Sequence, residues 1–231
     1  MRTKRRLSAL IGVAALAGLV FWPVSAQADI VFPLNLVYNG TSPAGTPPWL
    51  TATFSSTATP GTVMLALQAK LQGKNEFITH FWFNATPSIT PSSLIFAFDV
   101  TSSGPSAKSI LNTTQDAQTG SGESKFDVEI LWNTAAETVK SPNNRFNNSE
   151  VVKYNITCPT CSSTLMESSF NFLSTPQGGA AGPFFAAAYV ENGKIAFVPE
   201  PTSLLLLGSG LVGMGFLRRR RLSKGLRKLQ G

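Results

Sequence analysis

Histidine occurs once, cysteine twice and tyrosine three times in 231 residues, and charged side chains make up only 13% of the chain. A single histidine leaves a Ser-His-Asp triad nothing but His80 to use, and His80 sits mid-strand between aromatics, where a structural role suits it better. Cys158 and Cys161, in Cys-Pro-Thr-Cys, fall two ligands short of a structural zinc site. A thioredoxin-like dithiol needs a strand before the pair and a helix after it, and Ser162-Ser163-Thr164 opens a helix poorly. The spacing instead favours a disulfide closing a tight turn in an oxidising compartment. No Gly-x-Ser-x-Gly elbow, phosphate-binding Gly-x-x-x-x-Gly-Lys loop or His-Glu-x-x-His pair occurs. Neither catalytic activity nor a cofactor or metal is expected.

What the chain does have is concentrated at its ends. Arg2, Lys4, Arg5 and Arg6 precede the apolar stretch Leu7 to Val20, and Ala26-Gln27-Ala28 supplies a small-x-small site. This is the layout of a secretory signal peptide over 1–28, cleaved before Asp29. At the other end, Val198-Pro199-Glu200-Pro201 leads into Thr202-Ser203, the apolar run Leu204 to Leu217, and Arg218-Arg219-Arg220-Arg221. Fourteen apolar residues reach about 21 Å as a helix, against about 30 Å of hydrocarbon. Four glycines weaken that helix, and snorkelling arginines recover part of the shortfall. A short membrane segment over 203–217 is expected, with the basic tail 218–231 cytoplasmic and the bulk of the chain outside. Leu222, Leu226 and Leu229 among Lys224, Arg227 and Lys228 suit either a basic helix on an anionic leaflet or a solvated tail.

Prolines at 199 and 201 keep Glu200 out of any helix or ladder, so the segment is held extended, the form a protease cleft takes. Val198-Pro199-Glu200-Pro201, the leucine-rich segment containing Gly208-Ser209-Gly210-Leu211, and the four arginines resemble the PEP-CTERM sorting signal of Gram-negative bacteria, over about 198–222. That resemblance implies recognition by an exosortase, an integral-membrane cysteine protease that removes the tail. Further upstream, Pro48-Trp49-Leu50-Thr51-Ala52-Thr53-Phe54, Trp82-Phe83-Asn84, Lys125-Phe126-Asp127-Val128 and Gly182-Pro183-Phe184-Phe185-Ala186-Ala187-Ala188 resemble a recurring domain of PEP-CTERM proteins whose function is unassigned. Tyr189-Val190 departs from the histidine that pattern often carries after its alanine run.

The formal charge of +7 belongs to the ends. Four of the nineteen basic residues precede Asp29 and seven follow Leu217, while all twelve acidic residues lie between Asp29 and Glu200. The mature region therefore carries about −4, which argues against nucleic acid as a partner. Period-2 patterns recur over Ile30 to Tyr38, Trp49 to Ser55, Val63 to Leu67, Phe77 to Phe83, Leu94 to Thr101, Lys125 to Trp132, Val151 to Thr157, Ser169 to Leu173, Phe184 to Val190 and Lys194 to Val198. No long 3.6-residue period interrupts them. Residues 29–197 are thus expected to form a single all-β domain, an antiparallel sandwich of jelly-roll type. Pro33 points to an edge strand. Ser102 to Ser124 and Asn133 to Ser149 read as long loops, the second with one helical turn at Ala135-Ala136-Glu137.

Alternation predicts which side chains face outward. Asp127 and Glu129 fall on one strand face with Lys125, about 7 Å apart, a spacing open to glycosidase or calcium chemistry but better suited to a solvated surface. Asp99 could complete a cation site only if its strand neighbours theirs. Of Trp49, Trp82, Trp132, Tyr154 and Tyr189, Trp82 is expected to be the exposed sugar-stacking candidate, because Trp132 shares a face with Phe126, Val128 and Ile130. Asn-x-Ser/Thr sequons stand at Asn39, Asn84, Asn112, Asn147 and Asn155. The sequence therefore points to an exported, non-catalytic envelope or matrix protein, cut near Pro199-Glu200-Pro201. A module binding carbohydrate or calcium is the alternative, with exopolysaccharide as a partner. A glycoside-active enzyme stands third, since its carboxylates would have to face inward.

Overall fold

Apolar residues recur at every second position along the chain, and the strands they form bury one side each. The computed structural model describes residues 28–197 apart from 74, 121–123, 136–144, 162–163, 178–181 and 192. In chain order the strands are β1 (Ile30–Leu34), β2 (Leu36–Gly40), β3 (Leu50–Ser56), β4 (Thr62–Ala69), β5 (Ile78–Phe83), β6 (Ile95–Phe98) and β7 (Ser109–Leu111). Then follow β8 (Gln118–Gly120), β9 (Ser124–Phe126), β10 (Val128–Leu131), β11 (Val151–Thr157), β12 (Thr175–Pro176), β13 (Ala186–Val190) and β14 (Gly193–Phe197). Helix is confined, among the described residues, to 3-10 turns at Pro91–Ser93 and Glu167–Phe170. The second replaces the strand expected over Ser169 to Leu173.

Two antiparallel sheets face each other. One has the order β1-β3-β4-β11-β6 and the other β2-β14-β13-β5-β10-β7, and a small third sheet, β12-β9-β8, flanks them. The all-β sandwich read from the sequence is the observed architecture. β1 does lie at an edge, with Pro33 opposite Thr51. The chain then passes to the other sheet at Asn35, between β1 and β2. Gly193 packs against the Thr41 carbonyl where a Cβ would stand, so β14 and β2 close up only without a side chain there.

Between the sheets lies one apolar core. Leu50, Ala52 and Phe54 of β3, Val63, Leu65 and Leu67 of β4, and Val152, Tyr154 and Ile156 of β11 face Phe81 and Phe83 of β5, Val128 and Ile130 of β10, and Ala186 and Ala188 of β13. Phenylalanine rings wedge the layers apart and join them. Phe54 lies 4.6 Å from Phe170, 5.2 Å from Phe83 and 5.9 Å from Phe32, centroid to centroid. Phe32 stacks in turn on Phe185 at 5.5 Å and on Phe197 at 5.7 Å. Each such pair contributes roughly 0.5–1.5 kcal/mol beyond the area it buries.

The strands run between two poles. In the first sheet β1 starts where β3 ends, and in the second β5 and β14 end where β13 starts, with Ala196 paired to Leu36 so that Phe197 lies beside the β1–β2 junction. The opposite pole holds the start of β3, the end of β4 and the start of β5. Phe54 is fully buried at the junction of four rings, so Phe54→Ala is expected to cost about 3–5 kcal/mol. Urea unfolding of residues 29–197 checks this, and a loss below about 1 kcal/mol would contradict the packing described.

Candidate functional site

The outer side of the six-stranded sheet carries His80, Trp82, Glu129, Tyr189 and Lys194. In β5 the alternation slips. His80 pairs with Tyr189 and Ile78 with Val190, leaving Thr79 as an extra residue. Ile78 therefore turns into the core, and does not share the face of His80 and Trp82 as the sequence pattern implied. The Thr79 hydroxyl lies 2.8 Å from His80 Nδ1 and 3.2 Å from the Tyr189 carbonyl oxygen.

Trp82 is not the exposed platform expected. Only 4% of it is accessible, because the His80 ring stacks along it at 5.2 Å and Phe126 packs at 6.4 Å. Trp82, Phe126, Phe184, Ala187 and Ala196 form a second apolar cluster outside the sandwich, with Tyr38 and Tyr189 at its rim. Glu129 stands opposite Trp82 on β10, its Oε1 3.7 Å from His80 Nε2. Burial pushes the Glu129 carboxyl up, opposed by the nearby Trp82 indole N–H, which does not reach hydrogen-bonding geometry. Burial pushes the His80 imidazole down. Both shifts favour the uncharged forms, so the pair is a partly covered patch more than an ion pair.

Asp127 is also placed differently from the expectation of a solvated face. The strand breaks at this residue, between β9 and β10, and the break reverses the alternation. Phe126 goes to the outer cluster and Val128 to the core. The Asp127 carboxylate, 5% exposed, accepts the Ala85 N–H at 2.9 Å and the Asp116 N–H at 2.8 Å. Its pKa is raised, by burial first, with the two backbone donors opposing. This carboxylate ties three segments together. Asp99 belongs to the end of β6 in the other sheet, so the strands do not neighbour one another. Among the described residues no group of three His, Cys, Asp or Glu could hold a metal ion.

Other candidates have structural partners. Cys158 and Cys161 form a disulfide with Cα atoms 5.4 Å apart, and the Ser93 hydroxyl lies 3.1 Å from Cys158 Sγ. Trp132 is buried against Phe146 and donates from Nε1 to the Pro105 carbonyl at 3.2 Å. Burial raises the Tyr154 hydroxyl to about 12, and its oxygen accepts the Ala107 N–H. Of the sequons, Asn84 is buried and donates to Phe172, and Asn112 donates to the carbonyls of Pro91 and Leu94. Ala28 and Asp29 are exposed. Ala26, Pro199, Glu200, Pro201, the segment 203–217, Arg218, Arg219, Arg220 and Arg221 lie outside the described residues, as does most of the turn at 135–137. Among the described residues no helix is long and apolar enough to cross a membrane.

The sequence reading missed a cleft of about 350 Å³ where β4 ends and β5 starts. Gln72, Asn75, Glu76, Arg145, Asn147 and Asn148 line it, from the loops after β4 and before β11. Its charged groups are fixed in place. Glu76 accepts the Ala44 N–H at 2.7 Å through Oε1 and the Gly73 N–H at 2.9 Å through Oε2. The Arg145 guanidinium lies 4.1 Å above the Phe77 ring and donates to the carbonyls of Thr134 and Ala135. Such a rim of amides around one carboxylate and one guanidinium can exchange hydrogen bonds with hydroxyl groups. The amides were visible in sequence as loop residues, but only the pairing of β4 with β11 brings the two loops together.

Compared with known proteins, the chain matches one family model, described as the PEP-CTERM protein-sorting motif, over residues 197–221. No curated protein matches it. Among solved structures it is similar to a scaffoldin carbohydrate-binding module of family 3b from the cellulosome of Bacteroides cellulosolvens. That likeness has 15% identity and a TM-score of 0.34, over 71% of this chain and 99% of the other. The chain thus carries a PEP-CTERM protein-sorting motif, and the motif begins on the last residue of β14.

Proposed function

We propose that this chain is an exported, non-catalytic protein of the cell envelope or exopolysaccharide matrix. Its signal peptide is removed before Asp29, and residues 29–197 form the mature sandwich. The sorting signal holds the chain in the inner membrane with its arginines cytoplasmic, and an exosortase-type protease cuts near Pro199-Glu200-Pro201. The observation that carries this reading is the match of residues 197–221 to the sorting motif. Intact-mass measurement of the protein from cells with and without the exosortase tests it. Loss of the apolar run and arginines only where the protease is present is the expected result. A tail retained in both, or lost in both, would remove the sorting reading.

A second reading, that the mature domain binds carbohydrate, is favoured by the distal cleft. Calcium has less support, because both Asp127 oxygens already accept backbone N–H groups. Saccharide hydroxyls suit the Gln72, Asn75 and Asn148 amides, which stand exposed around the anchored Glu76 and Arg145. Losing about 1.4 kcal/mol of hydrogen bonding costs tenfold in affinity. The double variant Asn75→Ala, Asn148→Ala should therefore weaken binding about tenfold, whereas Trp82→Ala should act through stability alone. A glycan array probed with wild type and both variants decides, and no hits for wild type would end this reading.

A further inference from the structure

His80 is the only histidine in the chain, and its neighbours fix which ring nitrogen carries the proton. The Thr79 hydroxyl lies between two partners, the Tyr189 carbonyl oxygen at 3.2 Å and His80 Nδ1 at 2.8 Å. The carbonyl can only accept, so the single hydroxyl proton goes to it. The hydroxyl oxygen then accepts from Nδ1–H, and both contacts are made at once. Thr79 is 3% exposed, where leaving either contact unmade is costly. With burial holding the imidazole neutral, Nε2 is left with a bare lone pair.

That lone pair faces a second acceptor. Glu129, diagonal to His80 across the β5–β10 pair, brings its Oε1 to 3.7 Å from Nε2. The separation is too long for a hydrogen bond, and two electron-rich atoms left facing each other repel. It is instead close to the spacing of two ligands on one ion. A tetrahedral Zn²⁺ about 2.1 Å from each would hold them roughly 3.4 Å apart, a few tenths of an ångström less than the separation seen. Both side chains are also held from behind. Thr79 orients the imidazole as the outer partner of a metal-bound histidine does, and the Trp82 indole N–H stands near the Glu129 carboxylate. The Trp82 ring, 5.2 Å from the imidazole and 10° from its plane, restricts its turning. An ion can reach the pair, because 32% of the His80 side chain is open and Leu111, beside Glu129 on β7, is exposed. Lys194, on the same side of the sheet, lies two strands from His80 beyond Tyr189, roughly 10 Å away.

We propose that His80 Nε2 and Glu129 Oε1 bind one zinc-class divalent ion on the outer side of the six-stranded sheet, with water completing its coordination. Imidazole with carboxylate selects a borderline ion such as Zn²⁺ over Ca²⁺ or Mg²⁺, which take oxygen ligands. Two protein ligands leave open positions, where the ion can accept an oxygen donor from outside the chain. The site is separate from the amide cleft and does not depend on how the chain is sorted.

Nitrogen NMR of the untagged full-length chain in detergent micelles, labelled with ¹⁵N at histidine, tests this, because one residue gives the whole signal. Without metal at neutral pH the expected tautomer is Nδ1–H, the minor form of a free histidine side chain. Adding Zn²⁺ should move the Nε2 resonance strongly upfield and Nδ1 little, and Ca²⁺ should move neither. Thr79→Val should weaken Zn²⁺ binding about 10–100-fold. It should also shift the metal-free ring toward Nε2–H, which loss of a merely structural threonine would not do. Glu129→Gln should weaken binding at least as far, and melting in EDTA checks that each variant folds. A resting Nε2–H tautomer, or an Nε2 resonance that Zn²⁺ leaves in place, would overturn the site. So would equal Zn²⁺ affinity in wild type and Glu129→Gln, the mark of a lone surface histidine.

Discussion

The phenylalanine wedge between the two sheets is the constraint on which the rest of the molecule depends. Phe32, Phe54, Phe83 and Phe170 meet at ring distances of 4.6–5.9 Å, and Phe32 extends the contact to Phe185 and Phe197. Because the rings come from β1, β3, β5, β14 and the 3-10 turn at Glu167–Phe170, they lock elements distant in sequence into one register. They also fix where the first and last strands lie relative to each other. The Phe32 ring holds β1 against Phe185 and the end of β14 by packing, not by covalent linkage.

From that arrangement follows a molecule with two unlike ends. One carries the start of β1, the disulfide and the 3-10 turn at Glu167–Phe170. The other carries an open cleft of amides, with Glu76 and Arg145 held rigid by backbone groups and by Phe77. The outer face of the six-stranded sheet contributes less than its aromatic content suggested, since its largest ring is covered by a histidine and a phenylalanine.

Fold class was legible because period-2 burial holds without a slip in β3, β4 and β11, which pair with one another along most of their length. The sorting motif was legible because its chemistry is local: two prolines, a short apolar run and four arginines in one stretch. What escaped the sequence depended on irregularities that alternation hides. The extra residue at Thr79 sends Ile78 inward. The break at Asp127 moves Phe126 to the outer cluster and buries a carboxylate among backbone donors. Ser169 to Leu173 alternates like a strand, yet it folds as a 3-10 turn because Phe170 is needed in the wedge. The distal cleft joins loops more than sixty residues apart, so no local pattern marks it.

The central claim is that the start of β1 and the 3-10 turn at Glu167–Phe170 share one pole, with the amide cleft at the other. Electron–electron spin distances between labels at Asp29 and Leu173, and at Asp29 and Gln72, test it most directly. Strands of seven or eight residues separate the poles by roughly 25 Å. The account predicts a clearly shorter distance for 29–173 than for 29–72. Equal distances, or a reversal of that order, would contradict it.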